Sequence, residues 1–568
     1  MLCRSIVAVA LILAQAMPAA ADEPVHATRQ MVVAAHPLAA AAGLDVLRAG
    51  GSAVDAAVAV QAVLTLVEPQ SSGIGGGAFL LHYESATRGV TAWDGRETAP
   101  VGARSDLFLD PSGKPVSFAV AAASGRAVGV PGVIRMLDTV HARFGKLPWT
   151  SLFSRAEALA REGFPVSPRL AGLLAGNGAS RLRGRAGSEA IWFPLGKAPA
   201  AGDIVAVPAL AEAFGTIAAE GAGPFYEGRL AAAVVAAVAA AADPGGLTAD
   251  DLRNYRAIER TPLCLPYRHV TVCGMPPPSS GGIAVAQTLA TLAPHDVPAL
   301  GPRSPLAWHL FVEAQKLAFA DRDRWVADPD AVPVPTAGLT DPAYLKQRAT
   351  LMSPFAAMPT PVLPGLPPGT GLPVPPAGAT GSRGGTSHFV IVDATGNAVS
   401  MTSSVEAAFG TGIVAAGFLL NNQLTDFSFV PAAPDGRLVV NRPGPGKRPR
   451  STMSPTLVLD RDGRLLFALG SPGGPRIAAY VGKTLLGLID WRLDVQAAID
   501  LPHVVNRNGA TEIEAVAATD ELAVELRRRG HEVTALALES GLAAIAIHAD
   551  GTLDGGADRR REGVALGD

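Results

Sequence analysis

The stretch that decides the fold is Gly385-Thr-Ser-His-Phe-Val-Ile-Val-Asp-Ala-Thr-Gly-Asn-Ala-Val-Ser-Met-Thr-Ser-Ser404. Both halves are rich in the β-branched and aromatic residues typical of strands, and Ala394-Thr395-Gly396 lies between them. A three-residue hairpin loop needs a left-handed third residue, a conformation that glycine adopts without strain. The stretch therefore predicts a β-hairpin. If Asp393 faces Asn397, the register carried back along the strands sets Thr386 opposite Ser404.

The segment before Thr386 has a different composition. From Ser353 to Gly385 it is dominated by Pro, Gly and small residues, and we interpret it as a mobile or extended tether that packs no core. A tether that ends at a strand beginning with threonine suits a precursor that is cut there. A new N-terminal threonine has its own α-amine as the base that activates its hydroxyl. These residues alone also allow an ordinary linker that enters an edge strand.

Length and composition restrict the class of protein. The chain has 568 residues, 48% of them hydrophobic, and a formal net charge of −3. It contains no basic run that would indicate nucleic-acid binding and no acidic tail. No His/Cys group has metal-ligand spacing, so the sequence predicts neither a metal nor another cofactor.

The first residues predict export. A basic start at Arg4, an apolar run from Ile6 to Ala14 and the small residues Ala19-Ala20-Ala21 are typical of a secretory signal peptide over residues 1–21. The apolar run is too short to span a bilayer. We therefore expect a periplasmic or secreted protein without a membrane partner.

Three local features have two interpretations each. Cys264 and Cys273 flank a short predicted hairpin, and either a disulfide or two buried thiols fits them. His388 is near Thr386 in sequence and could act as a base. However, neighbouring strand residues point to opposite faces, which favours a structural role. The Gly-rich loop 72–77 is a weak signal that also fits a tight turn.

Strand and helix patterns alternate along the whole chain and indicate one compact α/β body without a second domain. Ser52-Ala-Val-Asp55 predicts a capping box at the start of a helix, and a long helix is predicted over Ser304 to Phe319. Gly473 and Gly474 end a strand and open a helix. Glycine amides at a helix start are suited to hold a developing oxyanion.

Taken together, these stretches resemble the γ-glutamyltransferase (glutathione hydrolase) family of N-terminal nucleophile hydrolases. The resemblance runs from about Val32 to near the C-terminus, with the motifs in the family's order. They are Ser72-Gly-Ile-Gly-Gly-Gly77, Asp94-Gly-Arg96-Glu, Met275-Pro-Pro-Pro-Ser-Ser-Gly-Gly282, Thr386 with its hairpin, Phe409-Gly-Thr-Gly-Ile413, Asn421-Asn-Gln-Leu-Thr-Asp426-Phe, Ser451-Thr-Met-Ser-Pro455 and Gly470-Ser-Pro-Gly-Gly474.

The resemblance implies a four-layer αββα sandwich and autocatalytic cleavage between Gly385 and Thr386. A large fragment, residues 22–385, and a small fragment, residues 386–568, would then remain together as a heterodimer. The tether, residues 353–385, would end the large fragment.

The resemblance also implies roles for individual residues. The Thr386 hydroxyl would attack an amide carbonyl, its α-amine would take the proton, and Ser404 would hydrogen-bond the nucleophile. The amides of Gly473 and Gly474 would bind the oxyanion. The family's substrate-binding positions fall into two groups here: Arg96, Ser451 and Thr452 for the α-carboxylate, and Gln423 and Asp426 for the α-ammonium.

Two departures affect substrate specificity. Glu406 stands where better-known members have an asparagine that contacts the glutamyl α-substituents, and a carboxylate there would attract an ammonium but repel a carboxylate. The segment 428–450 is short for a lid, and its basic residues favour a solvated rim: Arg437, Arg442, Lys447, Arg448 and Arg450. We therefore expect water to resolve the acyl-enzyme more readily than an amine acceptor does.

The leading hypothesis is a γ-glutamyl hydrolase/transferase that acts on small glutathione-like amides. The alternative keeps the chemistry but changes the acyl group, as in related acylases that remove a glutaryl-type side chain (cephalosporin acylase type). A third possibility is a catalytically silent exported binding protein, against which the intact set of Thr386, Ser404, Gly473 and Gly474 argues.

Overall fold

The structure is a computed structural model that describes residues 23–378 and 384–568. The predicted signal peptide, residues 1–21, lies outside the described residues, as do residues 379–383 just before the predicted cleavage site. The described helices include none long and apolar enough to cross a membrane.

The strands of the described chain are β1 (Val25–Ala27), β2 (Met31–Ala34), β3 (Gly77–Glu84), β4 (Gly89–Gly95), β5 (Phe164–Pro165), β6 (Ile204–Val205), β7 (Ile258–Arg260), β8 (Leu263–Tyr267), β9 (Val270–Gly274), β10 (Gly384–Val392), β11 (Ala398–Ala407), β12 (Val414–Ala415), β13 (Phe418–Leu419), β14 (Thr456–Leu459), β15 (Leu465–Gly470), β16 (Val504–Asn506), β17 (Thr511–Glu514), β18 (Val533–Leu536), β19 (Ala543–Ile547), β20 (Leu553–Ala557) and β21 (Val564–Gly567).

The α-helices are α1 (Pro37–Arg48), α2 (Ala53–Val67), α3 (Phe118–Ala122), α4 (Val133–Phe144), α5 (Ser154–Glu162), α6 (Pro168–Ala175), α7 (Ala186–Trp192), α8 (Pro208–Glu220), α9 (Gly223–Glu227), α10 (Arg229–Ala239), α11 (Ala249–Arg253), α12 (Gly281–Leu292), α13 (Val297–Leu300), α14 (Pro305–Trp325), α15 (Thr336–Leu339), α16 (Pro342–Ala349), α17 (Ile477–Leu485), α18 (Val495–Asp500) and α19 (Asp520–Arg528).

Two seven-stranded sheets form the centre of the molecule. One has the strand order β21-β2-β10-β11-β3-β4-β7, and the other has the order β1-β20-β19-β15-β14-β9-β8. They contact each other through β10, β11 and β2 on one side and β15, β19 and β20 on the other. Helices α1, α2 and α4 cover the outer face of the first sheet, and α12, α17 and α18 cover that of the second. The predicted four-layer αββα sandwich is confirmed.

The predicted hairpin is formed by β10 and β11, and its register is the expected one. Thr386 is paired with Ser404, and the Asp393 amide donates to the Asn397 carbonyl over 2.9 Å. Gly396 has φ +79°, the left-handed value that the turn requires. The Asp393 carboxylate accepts from the amide of Ala53, the first residue of α2, over 3.1 Å. The turn is therefore fixed to the helix layer.

The hairpin lies between strands that precede it in the sequence. β10 pairs with β2 and β11 pairs with β3, while the C-terminal strand β21 pairs with the other edge of β2. Segments from both sides of the predicted cleavage site therefore alternate within one hydrogen-bonded sheet.

Helix α14 is longer than the sequence predicts. It continues past Phe319 to Trp325, and its last turns include the charged run from Asp321 to Arg324. Asp321 and Arg322 are buried, although charged side chains are mostly exposed.

The Pro- and Gly-rich segment 353–378 contains no helix or strand, but it is bound to the rest of the chain. The Gly365 amide donates to the Asp321 carboxylate over 2.8 Å, and the Gly365 carbonyl accepts from the Trp325 indole over 3.2 Å. The Arg348 guanidinium donates to the Leu363 carbonyl over 3.0 Å. The segment is irregular, as its composition predicts, and it covers the end of α14.

Cys264 and Cys273 form a disulfide between paired positions of β8 and β9. Their Cα atoms lie 4.0 Å apart across the two strands. The structure therefore supports the disulfide over two separate thiols.

Candidate active site

The predicted nucleophile lies in a network of hydroxyl contacts. Thr386 is buried, and its Oγ1 is 3.1 Å from the Ser404 Oγ. Ser404 donates its hydroxyl proton to the Gly385 carbonyl over 2.7 Å, and its oxygen accepts from the Glu406 amide over 2.9 Å. Because a serine hydroxyl has one proton, the Thr386 hydroxyl is left as the donor to Ser404. Ser404 thus contacts both the attacking oxygen and the carbonyl that this oxygen would attack.

A β-bulge lies at the predicted cleavage site. The register shifts between Gly385 and Thr386, so that Gly385 faces Glu406 while Thr386 faces Ser404. Glu406 has φ +78°, a strained value for a residue with a side chain. A Cβ added to Gly385 would lie 2.5 Å from the Gln70 carbonyl oxygen, so glycine is required there. Bulges bend a strand and re-aim its side chains.

A small pocket opens beside Thr386. Its walls combine hydroxyls, two carboxylates and one guanidinium, and its lining residues are Arg322, Thr386, Ser404, Glu406, Gln423, Asp426, Ser451, Thr452, Met453, Gly474, Pro475 and Ile477. Most of the residues that the sequence predicts for the site therefore meet around one cavity. Arg96 and Gly473 are not among the lining residues, and Arg322 is an addition.

The glycine pair takes backbone conformations that only glycine adopts readily. Gly473 has φ +139° and Gly474 has φ +58°. A Cβ on Gly473 would lie 2.5 Å from the ring of Tyr480. Gly474 begins the short 3-10 turn that leads into α17 and forms part of the pocket wall. Its location suits the predicted oxyanion role, because backbone amides at a helix start carry partial positive charge.

Ser451 and Thr452 are arranged as hydroxyl donors toward the pocket. The Ser451 oxygen accepts from the Met453 amide over 3.1 Å, and the Thr452 oxygen accepts from the Arg322 guanidinium over 2.9 Å. Since each oxygen already accepts a hydrogen bond, each hydroxyl proton can be donated to a ligand. Two such donors suit a carboxylate.

The pocket lining also includes acceptors. Glu406 and Asp426 both line the pocket, and the Gln423 amide nitrogen donates to Asp426 over 3.0 Å. The buried Gln423 Oε1 has no hydrogen-bond partner in the described part of the chain. Carboxylate and amide oxygens are the groups that bind an ammonium.

Arg96 does not line the pocket but contacts Asp426, which does. It is fully buried, and its guanidinium donates to the Asp426 carboxylate over 2.6 Å and to the carbonyls of Pro449 and Arg450 over 3.0 and 3.2 Å. In this structure the Arg96 guanidinium is therefore paired with Asp426, while its buried Nη1 has no hydrogen-bond partner in the described part of the chain. The contact of Arg96 with a substrate carboxylate stays a prediction.

Glu97 contributes to that arrangement. It is completely buried, which raises its pKa to about 8, although the nearby Arg96 guanidinium favours the ionised form. At neutral pH the Glu97 carboxyl is therefore mostly uncharged. The Arg96 Nη1 lies 3.6 Å from it, and the charge of Arg96 is matched by Asp426 rather than by Glu97.

His388 has the structural role that we expected. Burial lowers its pKa to about 3, and its Nδ1 is 2.9 Å from the Thr402 Oγ1. Its ring occupies the space where a side chain at Gly470 would lie. A buried imidazole held in this way is not positioned as the base for Thr386.

Two sets of contacts that hold strand β10 were not predicted from the sequence. On the side away from the pocket, Ser387 donates to the Glu68 carboxylate over 3.0 Å and accepts from Ser72 over 3.0 Å. The Gly-rich loop that begins at Ser72 therefore helps to hold β10. In addition, the buried Arg561 donates to the Thr386 carbonyl over 2.8 Å. No local signal in the sequence links this residue to Thr386.

The expected solvated rim is wrong for three of its five basic residues. Lys447, Arg448 and Arg450 are buried, because they donate to backbone carbonyls and contact carboxylates within the molecule. Arg437 is exposed and Arg442 is partly exposed. No residue between 428 and 450, all of them described, lines the pocket.

The fold also brings together a group that the sequence spacing did not reveal. His309 and Glu313 of α14 and His531 after α19 have potential metal-ligand atoms within 4.8 Å of one another. However, the Lys316 ammonium is 2.8 Å from the Glu313 carboxylate. The His309 Nδ1 and the His531 Nε2 are 2.7 Å apart and share a hydrogen bond. The ammonium already supplies the positive charge, so this group fits a structural network.

Residues 39–568 match the Gamma-glutamyltranspeptidase family. The chain belongs to this family. It is 37% identical to the glutathione hydrolase proenzyme of Escherichia coli strain K12, over 94% of the chain and 91% of that protein. It is also 36% identical to the acylase ACY 1 proenzyme of Pseudomonas sp. strain V22, over 96% and 94%.

A solved structure extends the comparison to the fold. The cephalosporin acylase from Bacillus halodurans superimposes with a TM-score of 0.85 at 26% identity, over 99% of each chain. The chain is therefore a hydrolase/transferase enzyme with the N-terminal nucleophile hydrolase fold. Its relatives include both glutathione hydrolases and acylases, and each curated relative named above is a proenzyme.

Glu97 generates a prediction about stability. In the unfolded chain a glutamate ionises near its ordinary pKa of 4.5, whereas the folded pKa is about 8, so the folded state binds the proton more tightly. The free energy of unfolding therefore falls as pH rises from about 4.5 to 8. Glu97→Gln, which cannot ionise, should raise Tm relative to the unmodified protein more at pH 8 than at pH 5.

Thermal unfolding at both pH values measures this difference. Glu259→Gln is the matched control, because Glu259 is exposed and pairs with Arg143 at the surface. An equal change in Tm at both pH values for Glu97→Gln would contradict the raised pKa.

Proposed function

We propose that this enzyme is a self-cleaving γ-glutamyl hydrolase in which Thr386 is the nucleophile. The observation that carries the proposal is the charge pattern of the pocket. The pocket is lined by the carboxylates of Glu406 and Asp426 and also by the guanidinium of Arg322 and the hydroxyls of Ser451 and Thr452. An α-amino-acid end, with its ammonium and its carboxylate, complements both sets of groups.

The first step is maturation of the precursor. The Thr386 Oγ1 attacks the Gly385 carbonyl carbon, the Gly385–Thr386 C–N bond breaks, and the Thr386 nitrogen takes a proton to become an α-amine. Water then hydrolyses the resulting ester, which leaves a carboxylate on Gly385 and restores the Thr386 hydroxyl. The hydrogen bond from Ser404 to the Gly385 carbonyl would stabilise the negative charge that develops on this oxygen.

Turnover uses the same hydroxyl. The Thr386 Oγ1 attacks the γ-carbonyl of the substrate, its α-amine accepts the hydroxyl proton and delivers it to the departing amine, and a γ-glutamyl ester remains on Thr386. Water then attacks this ester and releases glutamate. The amides of Gly473 and Gly474 are proposed as the oxyanion donors in both half-reactions.

The alternative acyl group is a glutaryl-type side chain; one relative is named an acylase and one solved structure a cephalosporin acylase. A glutaryl group has a terminal carboxylate but no ammonium. It would bring no cation to Glu406 and Asp426, whereas the ammonium of a γ-glutamyl group can form charge-assisted hydrogen bonds with carboxylates. We therefore place this substrate class second.

The remaining parts of the proposal concern assembly and location. The alternation of segments within one sheet would hold fragments 22–385 and 386–568 together as a heterodimer. The signal-like start of the sequence and the Cys264–Cys273 disulfide support a periplasmic or secreted location. We propose a small-molecule amide as substrate.

The first prediction concerns maturation. Thr386→Ala should leave an uncut precursor without activity, because one hydroxyl serves both cleavage and turnover, while Thr386→Ser should retain part of both. Denaturing gel electrophoresis and an anilide assay measure the two properties. Thr395→Ala, in the hairpin turn, is the control and should mature. A Thr386→Ala protein that still separates into two fragments would disprove self-cleavage by this residue.

The second prediction concerns the acyl group. The mature enzyme should show a kcat/KM at least about tenfold higher for a γ-glutamyl anilide than for a glutaryl anilide, because the ammonium gains charge-assisted contacts. Steady-state kinetics with both anilides test the proposed function directly. A preference for the glutaryl compound would assign the enzyme to the acylase class instead.

The third prediction concerns the acceptor. Since no residue of segment 428–450 lines the pocket, we expect water at bulk concentration to reach the ester on Thr386. Adding glycylglycine to the γ-glutamyl anilide assay should raise anilide release only a few-fold. An increase of about a hundredfold would require an acceptor site and would refute the hydrolase-first proposal.

A further inference from the structure

The buried Arg561, in the loop between β20 and β21, has an unusual set of contacts. Its Nη1 donates to the Thr386 carbonyl over 2.8 Å, and its buried Nε has no hydrogen-bond partner in the described part of the chain. The carboxylates of Glu68, Glu539 and Asp558 are near enough to act on its charge, but none of them is hydrogen-bonded to it. The contact with Thr386 is therefore the one that fixes this guanidinium.

Arg560, the preceding residue, shows how an arginine with a structural role is bound in the same loop. Its guanidinium donates to both oxygens of Glu514, over 2.5 and 2.8 Å, and to Asp558 over 3.2 Å. The charge of Arg560 is thus matched by carboxylates, whereas the charge of Arg561 lies against a neutral carbonyl. Burying a cation without a paired carboxylate is costly, and such perturbed groups cluster at functional sites.

The proposed cleavage would not separate Arg561 from Thr386. Both residues belong to fragment 386–568, and the Thr386 carbonyl lies on the C-terminal side of the Gly385–Thr386 bond. The nitrogen and the carbonyl oxygen of one residue are three covalent bonds apart. The guanidinium therefore lies within about 6 Å of the nitrogen that would become the α-amine. A cation at such a distance disfavours protonation of an amine.

Arg561 keeps its charge over the pH range in which an α-amine titrates. Burial, with a smaller contribution from the neighbouring Arg169, lowers the pKa of the Arg561 guanidinium to about 10. The ordinary pKa of an α-amine is lower, about 7.7–8.0. The guanidinium is therefore still protonated while the amine changes its charge.

Other charged groups face Thr386 from the pocket. Glu406 and Asp426 are lining residues, and their negative charges favour protonation of an amine beside them. Arg322 lines the same pocket and opposes this effect, and Arg96 is paired with Asp426. Glu406 is thus the carboxylate of the pocket that acts most strongly on the amine.

The groups behind β10 are largely matched with one another. The Glu68 carboxylate accepts the Ser387 hydroxyl and is paired with the Arg169 guanidinium at 3.1 Å. His388, the histidine of β10, is uncharged at neutral pH, because burial lowers its pKa to about 3. Among these groups, Arg561 is the cation that is bonded to Thr386 itself.

We propose that Arg561 is a positioning residue that keeps the α-amine of mature Thr386 in its uncharged, proton-accepting form. The inference rests on the proposed function, since it requires Thr386 at a new N-terminus. Only an uncharged amine can take the proton of the Thr386 hydroxyl, and an ordinary α-amine is mostly protonated at pH 7. The charge of Arg561 offsets that of Glu406 and increases the fraction of enzyme that is ready to react.

Two measurements of the amine test this inference. Cyanate carbamoylates an amine only in its uncharged form. The rate of carbamoylation at the N-terminus of fragment 386–568, followed by mass spectrometry across pH, therefore gives the pKa of the amine. The acidic limb of kcat/KM for a γ-glutamyl anilide gives it a second time. In mature Arg561→Gln both values should rise by about one pH unit, because a nearby cation is lost.

A second variant and two controls separate charge from structure. Arg561→Lys keeps a cation, so the pKa of the amine should stay within about 0.3 of its value in the unmodified enzyme. Arg559→Gln removes a half-exposed guanidinium of the same loop, 3.8 Å from Asp500, and should not move the pKa of the amine. Ser387→Ala removes a hydrogen bond that holds β10 without removing a charge. It should lower kcat and leave the pKa of the amine unchanged.

Two results would overturn the inference. If the amine has the same pKa in Arg561→Gln as in the unmodified enzyme, Arg561 only holds the strand. If neither Arg561 variant matures, this residue is required for the structure of the precursor, and the inference fails as well.

N-terminal sequencing of the unmodified enzyme separates this inference from the proposed function. If no fragment begins at Thr386, the proposed self-cleavage fails. If the fragment is present but the enzyme prefers a glutaryl anilide, the γ-glutamyl assignment fails, while carbamoylation still measures the effect of Arg561→Gln on the amine. If the fragment is present and the pKa of the amine does not depend on Arg561, the inference alone fails.

Discussion

The pairing of β10 with β11 is the constraint on which the rest of the site depends. A shift of one residue in an antiparallel pair moves every side chain of a strand to the opposite face. The turn at Gly396, fixed by the Asp393 carboxylate, sets the register that brings Thr386 and Ser404 together. The bulge at Gly385 then aligns the Gly385 carbonyl with the Ser404 hydroxyl. Turn, bulge and hydroxyl pair thus act as one unit.

Features encoded in local sequence could be predicted. The hairpin register followed from turn chemistry, and the capping box at Ser52 followed from the spacing of its two residues. The four-layer fold came from the order of the motifs, which identified the family. Most of the candidate pocket residues came from the same motifs, because the strands and turns that carry them end around Thr386.

Features that depend on distant contacts could not be predicted. Arg322 lies in a charged run at the end of a long helix, a pattern that is also typical of a solvated face. It is buried, and its guanidinium contacts Ser280 and Thr452, which are distant in sequence. Arg96 fits the family motif, but its contacts with Asp426 and with Arg450 join parts of the chain that are far apart in sequence. Lys447 was assigned to a solvated rim because of its charge. In the structure its ammonium donates to the Arg442 carbonyl, a contact that composition alone does not reveal.

The alternation of strands in the first sheet has a consequence for the cut protein. In the intact precursor β2, β10, β11 and β3 belong to one chain, so their encounter during folding is intramolecular and independent of concentration. After cleavage between Gly385 and Thr386, β2 and β3 would belong to one polypeptide and β10 and β11 to another. Denaturation of the two-chain form would then also be a dissociation, and its reversal would require two molecules to meet. The hydrolysis of one peptide bond would thereby convert a unimolecular folding equilibrium into a bimolecular one.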